Sequence, residues 1–326
     1  MKRRPYVFEL VLFANFVWVF SLSRENAMAT MRESIVNAGL NPLYATLLGV
    51  GVRFLFAAVR GHGRRYLRIV TSPRWLIDTA RLIVGMVFLA ECYGWVKLLV
   101  PVMHPVLYDS ALYRIDQTLC FGISPSIFFL QLFSNHAFLK FIDQAYANFF
   151  IGGMMFAIAF FFSMPKSRVR IAFVTSSVVM WMTGAWLYML IPSLGPAYRF
   201  PDIWFPFAKD LPRTQWSQAM LMRNYQAVIR LAHGGPPANI LLSYGIAAFP
   251  SLHVATQTQI AIWMGRWWRP GAIIFALAAF FVFLGSMITG WHYLVDGIAG
   301  AGLAVASYSG TQWVVKKEFR PSRKRF

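Results

Sequence analysis

The feature that most constrains this chain is a series of apolar runs, each about as long as the hydrocarbon core of a membrane is thick. Roughly 20 helical residues cross that core. Of the 326 residues, 58% are apolar and 13% are charged, and the mean hydropathy is +0.52. The sequence therefore predicts an all-α integral membrane protein with about eight transmembrane helices, near residues 6–23, 42–60, 81–103, 143–164, 171–192, 250–267, 271–290 and 293–314.

The formal net charge of +19 would ordinarily suggest a nucleic-acid partner. Here, however, most of the 31 Lys and Arg residues cluster in the short connections and at the termini. Threading the chain through a bilayer from a cytoplasmic N-terminus collects these clusters on one side, as the positive-inside rule requires. Both termini are then cytoplasmic, and residues 24–41, 104–142 and 193–249 lie outside.

The predicted organisation has three parts. Residues 1–80 form two accessory transmembrane helices and a basic cytoplasmic loop, residues 81–314 form a six-helix core, and residues 315–326 form a basic cytoplasmic tail. The predicted setting is a bacterial inner membrane, for which the outer face is the periplasm.

Three polar residues lie at the ends of apolar segments: His253, and the pair His292 and Asp296. Two spans separate the two groups, so a membrane hairpin returns both histidines to the outer face. His292 and Asp296 are four residues apart, which places both on one helix face if the last span is already helical there. A carboxylate that accepts the proton of one ring nitrogen leaves the other as a nucleophile or base. The pattern predicts an active site at the outer face.

Phosphate is the ligand that this arrangement suits. Pro250 and Ser251 mark a helix start, and the free N–H groups of such an end attract phosphate beside His253. Two imidazoles and a carboxylate suit in-line displacement at phosphorus, in which one His attacks and the other serves as acid and then base. A cation must also hold the phosphate oxygens. Arg199, just beyond the fifth span, is the nearest candidate.

Other polar residues have predicted roles as well. Asp143 and Tyr146 begin the fourth span at the outer side and are expected to line the same cavity. Arg53 and Glu91 fall near mid-membrane, where an unpaired charge is costly, so we expect an ion pair between them. The two cysteines have neither disulfide nor metal-ligand spacing. We predict no metal and no cofactor.

These residues resemble the type 2 phosphatidic acid phosphatase superfamily of membrane phosphatases and phosphotransferases. Its second signature block is similar to Phe249-Pro-Ser-Leu-His253, with Leu252 at a position that is usually Gly in phosphatases, and its third block ends in His-x-x-x-Asp, as at His292 and Asp296. The resemblance implies a phosphohistidine at His292, an orienting carboxylate at Asp296 and acid/base work by His253.

Two blocks depart from the phosphatase pattern. The third block begins with Ser-Arg in phosphatases, whereas this chain has Gly285-Ser286. The first block, a Lys with Arg-Pro seven residues later, does not occur in that form. We therefore assign Arg199, Ser251 and Ser286 to phosphate binding.

The departures are similar to the branch of the aureobasidin-sensitive inositol phosphorylceramide synthases, in which Pro-Ser-Leu-His and His-Tyr-x-x-Asp also occur. Tyr293 fills the second position of that motif and is expected to line the cavity, and the segment 108–116 resembles the one that precedes the core in that branch. The branch implies transfer of a phosphoalcohol headgroup between lipids.

Two alternatives stay open. The first is a lipid phosphate or polyprenyl pyrophosphate phosphatase, in which water replaces the alcohol. The second is a non-catalytic lipid transporter or scaffold. The expected partners are a phospholipid or polyprenyl-phosphate substrate, a lipid alcohol acceptor and the bilayer, with no nucleic acid. The sequence does not give the headgroup, the acceptor or the oligomeric state.

Overall fold

The computed structural model describes residues 5–22, 24–236 and 238–318, and most of these residues are helical, with no β-strand among them. The all-α fold class is therefore confirmed. The predicted basic residues 2–4 and most of the tail lie outside the described residues. The α-helices are α1 (Val7–Leu22), α2 (Arg24–Ile35), α3 (Asn41–Val59), α4 (Gly63–Val70), α5 (Pro73–Met103), α6 (Asp109–Leu119), α7 (Pro125–Leu132), α8 (His136–Phe162), α9 (Ser167–Leu190), α10 (Pro196–Arg199), α11 (Pro201–Trp204), α12 (Pro212–Ala232), α13 (Leu252–Trp267), α14 (Arg269–Ile288) and α15 (Leu294–Glu318).

Within the described residues, five helical segments are long and apolar enough to cross a membrane: Thr30–Val59, Pro73–Met103, His136–Phe162, Ser167–Leu190 and Arg269–Ile288. Each of the eight predicted spans falls on a helix. The helices α1 and α13 have 16 residues each, fewer than a perpendicular crossing needs. Helix α15 has 25 residues but a lower hydropathy, because Gly, Ser and Thr interrupt its apolar residues.

Helix α5 begins eight residues before the predicted span, at Pro73, because Pro is favoured at the first helical position. Hydropathy alone excludes residues 73–80, since they include Asp78. In the structure Asp78 and Arg81, the first residue of the predicted span, both have partners at or near the start of α1. Arg81 Nε donates to Glu9 Oε1 at 2.6 Å, and the Tyr6 hydroxyl donates to Asp78 Oδ1 at 3.1 Å.

By backbone contacts the chain divides into two compact units. Unit 1 comprises the described residues of 1–92, 155–180 and 305–318, and unit 2 comprises residues 93–154 and the described residues of 181–304. The three-part division predicted from chain order addresses a different property and stays a prediction.

The mid-membrane ion pair predicted in unit 1 is wrong. Arg53 donates instead to Ser163 Oγ at 3.2 Å and to the carbonyl of Phe160 at 3.0 Å. Glu91 accepts from Thr30 Oγ1 and from Ser34 Oγ, both at 2.6 Å. Each of the two charged groups thus has hydrogen-bond partners elsewhere in unit 1, as buried polar groups require.

Unit 2 has an apolar cluster that holds the end of α14. Trp204 and Ile288 are fully buried within it, and the indole Nε1 of Trp204 donates to the carbonyl of Ile288 at 2.9 Å. Other buried members are Leu130, Leu139, Ile142 and Leu211. The last residue of α14 is therefore held in place by this cluster, and residues 289–293 begin directly after it.

Candidate active site

Residues 289–293 connect α14 to α15, and groups from elsewhere in unit 2 bind their carbonyl oxygens. Gly290 has φ +75°, a left-handed conformation that suits Gly. Its carbonyl accepts from Ala197 N at 2.9 Å, that of Thr289 accepts from Gln218 Nε2 at 3.0 Å, and that of His292 accepts from Ser126 Oγ at 3.2 Å. The backbone that carries the imidazole is therefore held from several sides.

The structure brings His292 and Asp296 together. His292 Nδ1 lies 3.4 Å from Asp296 Oδ2, and the same oxygen accepts the backbone N–H of Tyr293 at 2.9 Å. The ring of His292 precedes α15, so the contact forms because the carboxylate reaches back from the first turn of the helix. Both residues are buried.

Two further aspartates, absent from the predicted site, hold the segment after His292. Asp116 accepts the N–H groups of Leu294 at 2.7 Å and Val295 at 2.9 Å, and so caps the start of α15. Asp109 accepts the hydroxyl of Tyr293 at 3.1 Å and also the N–H of Gly195 at 2.8 Å. Tyr293 is thus a buried structural contact next to His292. The sequence signal that could have identified both aspartates is that they lie in the segment 108–116, which resembles the segment preceding the core in the transferase branch.

The start of α13 carries His253. The hydroxyl of Ser251 accepts the N–H of Val254 at 3.4 Å, which makes Ser251 the N-cap of this helix. The N–H of Ser251 donates to the carbonyl of Asp296 at 2.9 Å. This bond joins the two predicted motifs. Leu252, at the position that is usually Gly, packs against Gly184, where a Cβ would lie 2.6 Å from its side chain.

The rings of His253 and His292 lie with their centroids 5.8 Å apart. This separation is short enough for one phosphate group to contact both rings. The other neighbours of His253 are aromatic, with the rings of Phe150 at 4.3 Å and Tyr146 at 5.6 Å. Tyr146 therefore lies beside the histidines, and its hydroxyl has no hydrogen-bond partner among the described residues.

Lys97, near the end of α5, is the cation that sequence reasoning missed. Its positive charge disfavours protonation of both imidazoles. The ammonium of Lys97 lies 5.7 Å from the ring centroids of Tyr93 and Tyr188. Within the described chain it has no carboxylate partner. The signal was present, because Lys97 is followed seven residues later by His104-Pro105, the spacing of the first signature block with His in place of Arg.

Three of the predicted residues have no side-chain hydrogen bond or ring contact with the histidine pair within the described chain. Arg199 is exposed, and its guanidinium lies over the ring of Phe200, 5.4 Å from the centroid. Asp143 accepts the N–H groups of Arg213 and Thr214, at 2.8 and 2.7 Å, and so caps α12. The hydroxyl of Ser286 donates to a carbonyl of its own helix, while its carbonyl accepts the N–H of His292 at 3.2 Å. Their roles toward substrate stay predictions.

The protonation of His292 follows from its burial. The pKa of the imidazole is lowered to about 3, chiefly by burial and also by the charge of Lys97, while the hydrogen bond to the backbone of Ala248 acts in the opposite direction. At neutral pH the ring is therefore uncharged and has a lone pair available. This is the state that a nucleophile at phosphorus requires.

The geometry agrees with a comparison against known families. The family model described as the PAP2 superfamily matches residues 110–310, which is more than half of the chain. The chain belongs to this superfamily of membrane phosphatases and phosphotransferases. No curated protein and no solved structure matches the chain significantly.

Proposed function

We propose that this protein transfers a phosphoalcohol headgroup from a phospholipid to a lipid alcohol through a phosphohistidine at His292. The observation that carries the proposal is the buried pair His292 and Asp296, with His253 at a centroid distance of 5.8 Å. Membership of the superfamily supports chemistry at a phosphate ester. The resemblance of the Pro-Ser-Leu-His and His-Tyr-x-x-Asp motifs to headgroup transferases supports transfer.

The first half-reaction forms an N–P bond and breaks a P–O bond. Asp296 accepts the proton of His292 Nδ1, so the lone pair of Nε2 attacks phosphorus. The substrate phosphate favours the protonated form of His253. His253 gives its proton to the leaving oxygen, and a diacylglycerol departs.

The second half-reaction reverses these roles. His253 accepts the proton of an incoming lipid alcohol, whose oxygen attacks phosphorus, and the N–P bond to His292 breaks. Lys97 and the N–H groups at the start of α13 stabilise the charge on the phosphate oxygens throughout. Burial of His292 and Asp296 limits the access of water to the intermediate.

Hydrolysis is the second candidate, because the same residues serve it when water replaces the alcohol. Both reactions require a phosphoenzyme, and they differ only in the acceptor. The proposed setting is a membrane in which both termini are cytoplasmic and the site faces the periplasm, as the distribution of basic residues favours.

The experiment is to incubate the purified protein in detergent with phospholipids and polyprenyl pyrophosphates labelled in the phosphate, with and without lipid alcohols. We expect an acid-labile labelled protein and label on the alcohol, both lost in His292→Ala and both kept in His233→Ala. His233 is exposed, follows the end of α12, and its Nδ1 lies 2.8 Å from the carbonyl oxygen of Ile229 in that helix. A chelator should leave turnover unchanged.

Each other outcome selects a different function. Free phosphate without any labelled lipid product would replace the transferase with a phosphatase. The absence of both a labelled protein and any product, from all substrates, would leave the non-catalytic transporter or scaffold.

A further inference from the structure

Unit 1 contains a cavity of about 410 Å³ that the proposed reaction does not use. Its walls come from the turn between α4 and α5 and from the connection between α8 and α9. Three of the lining residues are cationic, namely Arg74, Lys166 and Arg168, and none is acidic. The rest of the polar and aromatic lining is Ser72, Trp75 and Ser167. A concave site with this lining has a positive potential that attracts an anion.

The two walls are joined by hydrogen bonds. The indole Nε1 of Trp75 donates to the carbonyl of Met164 at 3.1 Å, and the hydroxyl of Tyr66 donates to the carbonyl of Ser163 at 2.9 Å. Arg170 lies over the ring of Trp75 at 4.2 Å and donates to Thr79. The cavity is therefore preformed, which lowers the conformational entropy lost on binding.

The position of the cavity in the chain indicates the source of the anion. Its walls are the start of α5, the end of α8 and the start of α9, which are the ends of three helices able to cross a membrane. Such ends lie at the level of the lipid headgroups. The start of α9 adds the positive end of a helix dipole to the side chains of Lys166 and Arg168.

We propose that this cavity binds the phosphate headgroup of an anionic phospholipid, at a site separate from the reacting histidines. The helix-start N–H groups and the three cations bind the phosphate oxygens. The acyl chains stay in the bilayer.

The test uses the full chain in a non-ionic detergent and native mass spectrometry of bound lipid. The probe is phosphatidylglycerol, with phosphatidylcholine for comparison. The variant is Arg74→Gln with Lys166→Gln and Arg168→Gln. The matched control is Arg60→Gln with Arg64→Gln and Arg65→Gln, which removes the same charge from exposed residues of the adjacent basic segment that do not line the cavity.

We expect phosphatidylglycerol to bind in preference to phosphatidylcholine. The cavity variant should raise its Kd by at least about tenfold, because each cation near an anionic headgroup contributes roughly a factor of five. The control variant should keep the affinity. Turnover of a substrate presented in detergent should be equal in all three proteins, so failure here is distinguishable from failure of the proposed function.

Two results would overturn the proposal. An equal loss of affinity in both triple variants would mean diffuse attraction to a basic surface. Binding of inorganic phosphate or glycerol 3-phosphate as tightly as the lipid, with displacement of the lipid, would mean a site for a soluble phosphate.

Discussion

The neutral imidazole of His292 can act as a nucleophile only if other groups carry the charges of the reaction. Asp296 supplies a carboxylate at Nδ1, and one of its oxygens, Oδ1, has no hydrogen-bond partner among the described residues. In the proposed reaction, Oδ1 is available to form a hydrogen bond with the imidazole of His292 as positive charge develops on that ring. In the proposed mechanism Lys97 is the compensating cation for the phosphate, since no hydrogen bond or ring contact within the described chain places the side chain of Arg199 at the pair.

Lys97→Gln therefore tests the assignment of the cation. We expect kcat/KM to fall by about 10²- to 10³-fold, the usual effect of removing a group that stabilises transition-state charge. Lys97→Arg should recover part of it, because the charge is kept. Lys140→Gln is the control, since Lys140 is exposed. Equal kinetics for the two Gln variants would remove Lys97 from the site.

Asp116 gives a pH-dependent contribution to stability. Burial raises the pKa of its carboxyl to about 6, although the N–H groups of Val295 and Leu294 lower it and the charge of Asp296 raises it. The folded pKa is above the unfolded one, so the stabilising contribution is full below about pH 4 and is lost as pH rises through about 6.

We expect thermal unfolding of the wild type to lose stability relative to Asp116→Asn between pH 4 and 7. The relative loss should approach about 3 kcal/mol, since each pKa unit corresponds to 1.36 kcal/mol. Parallel pH curves for the two proteins would contradict the raised pKa.

At the scale of elements, the site depends on the close approach of α15 to the start of α13. A Cβ on Gly300 would lie 2.2 Å from the carbonyl oxygen of Ser251, a residue whose N–H binds the backbone of Asp296. Only Gly permits this contact. The two helices therefore set the distance between the two histidines.

Gly300→Ala should destabilise the fold by about 1–3 kcal/mol, the usual effect of overpacking, and should lower turnover by displacing His253 from His292. Gly302→Ala is the matched control, because a Cβ there meets nothing within 4 Å. The control should be neutral or slightly stabilising, as expected for Ala in a helix. Thermal unfolding and turnover measure both. Similar behaviour of the two variants would exclude a close-packing role for Gly300.

At the scale of the whole molecule, the proposed topology can be tested with the native cysteines. Cys92 is buried and Cys120 is partly exposed, in a segment assigned to the outer side. A membrane-impermeant thiol reagent should therefore label intact cells expressing the wild type, but not those expressing Cys120→Ala. Labelling that requires permeabilised cells would invert the topology.

Much of the fold could be predicted because membrane helices are a local property. Twenty apolar residues need no distant partner to be recognised, so each predicted span coincides with a helix. The predictions were wrong where the structure depends on side chains from distant parts of the chain. The eight extra residues of α5 include Asp78, whose carboxylate accepts the hydroxyl of Tyr6. Arg53 and Glu91 have hydrogen-bond partners that hydropathy does not identify.

The sequence by itself determined the helical class and the family, and it singled out His253, His292 and Asp296 as candidate reacting groups, because these depend on composition and on short spacings within one segment. The tertiary structure decided which other residues join them. It placed Lys97 beside Tyr93 and Tyr188, where its charge influences His292. It used Asp109 and Asp116 to hold the segment after His292, and assigned Asp143 to a helix cap. The contacts of these aspartates link residues more than 60 positions apart, and their geometry depends on how the helices pack rather than on any local pattern.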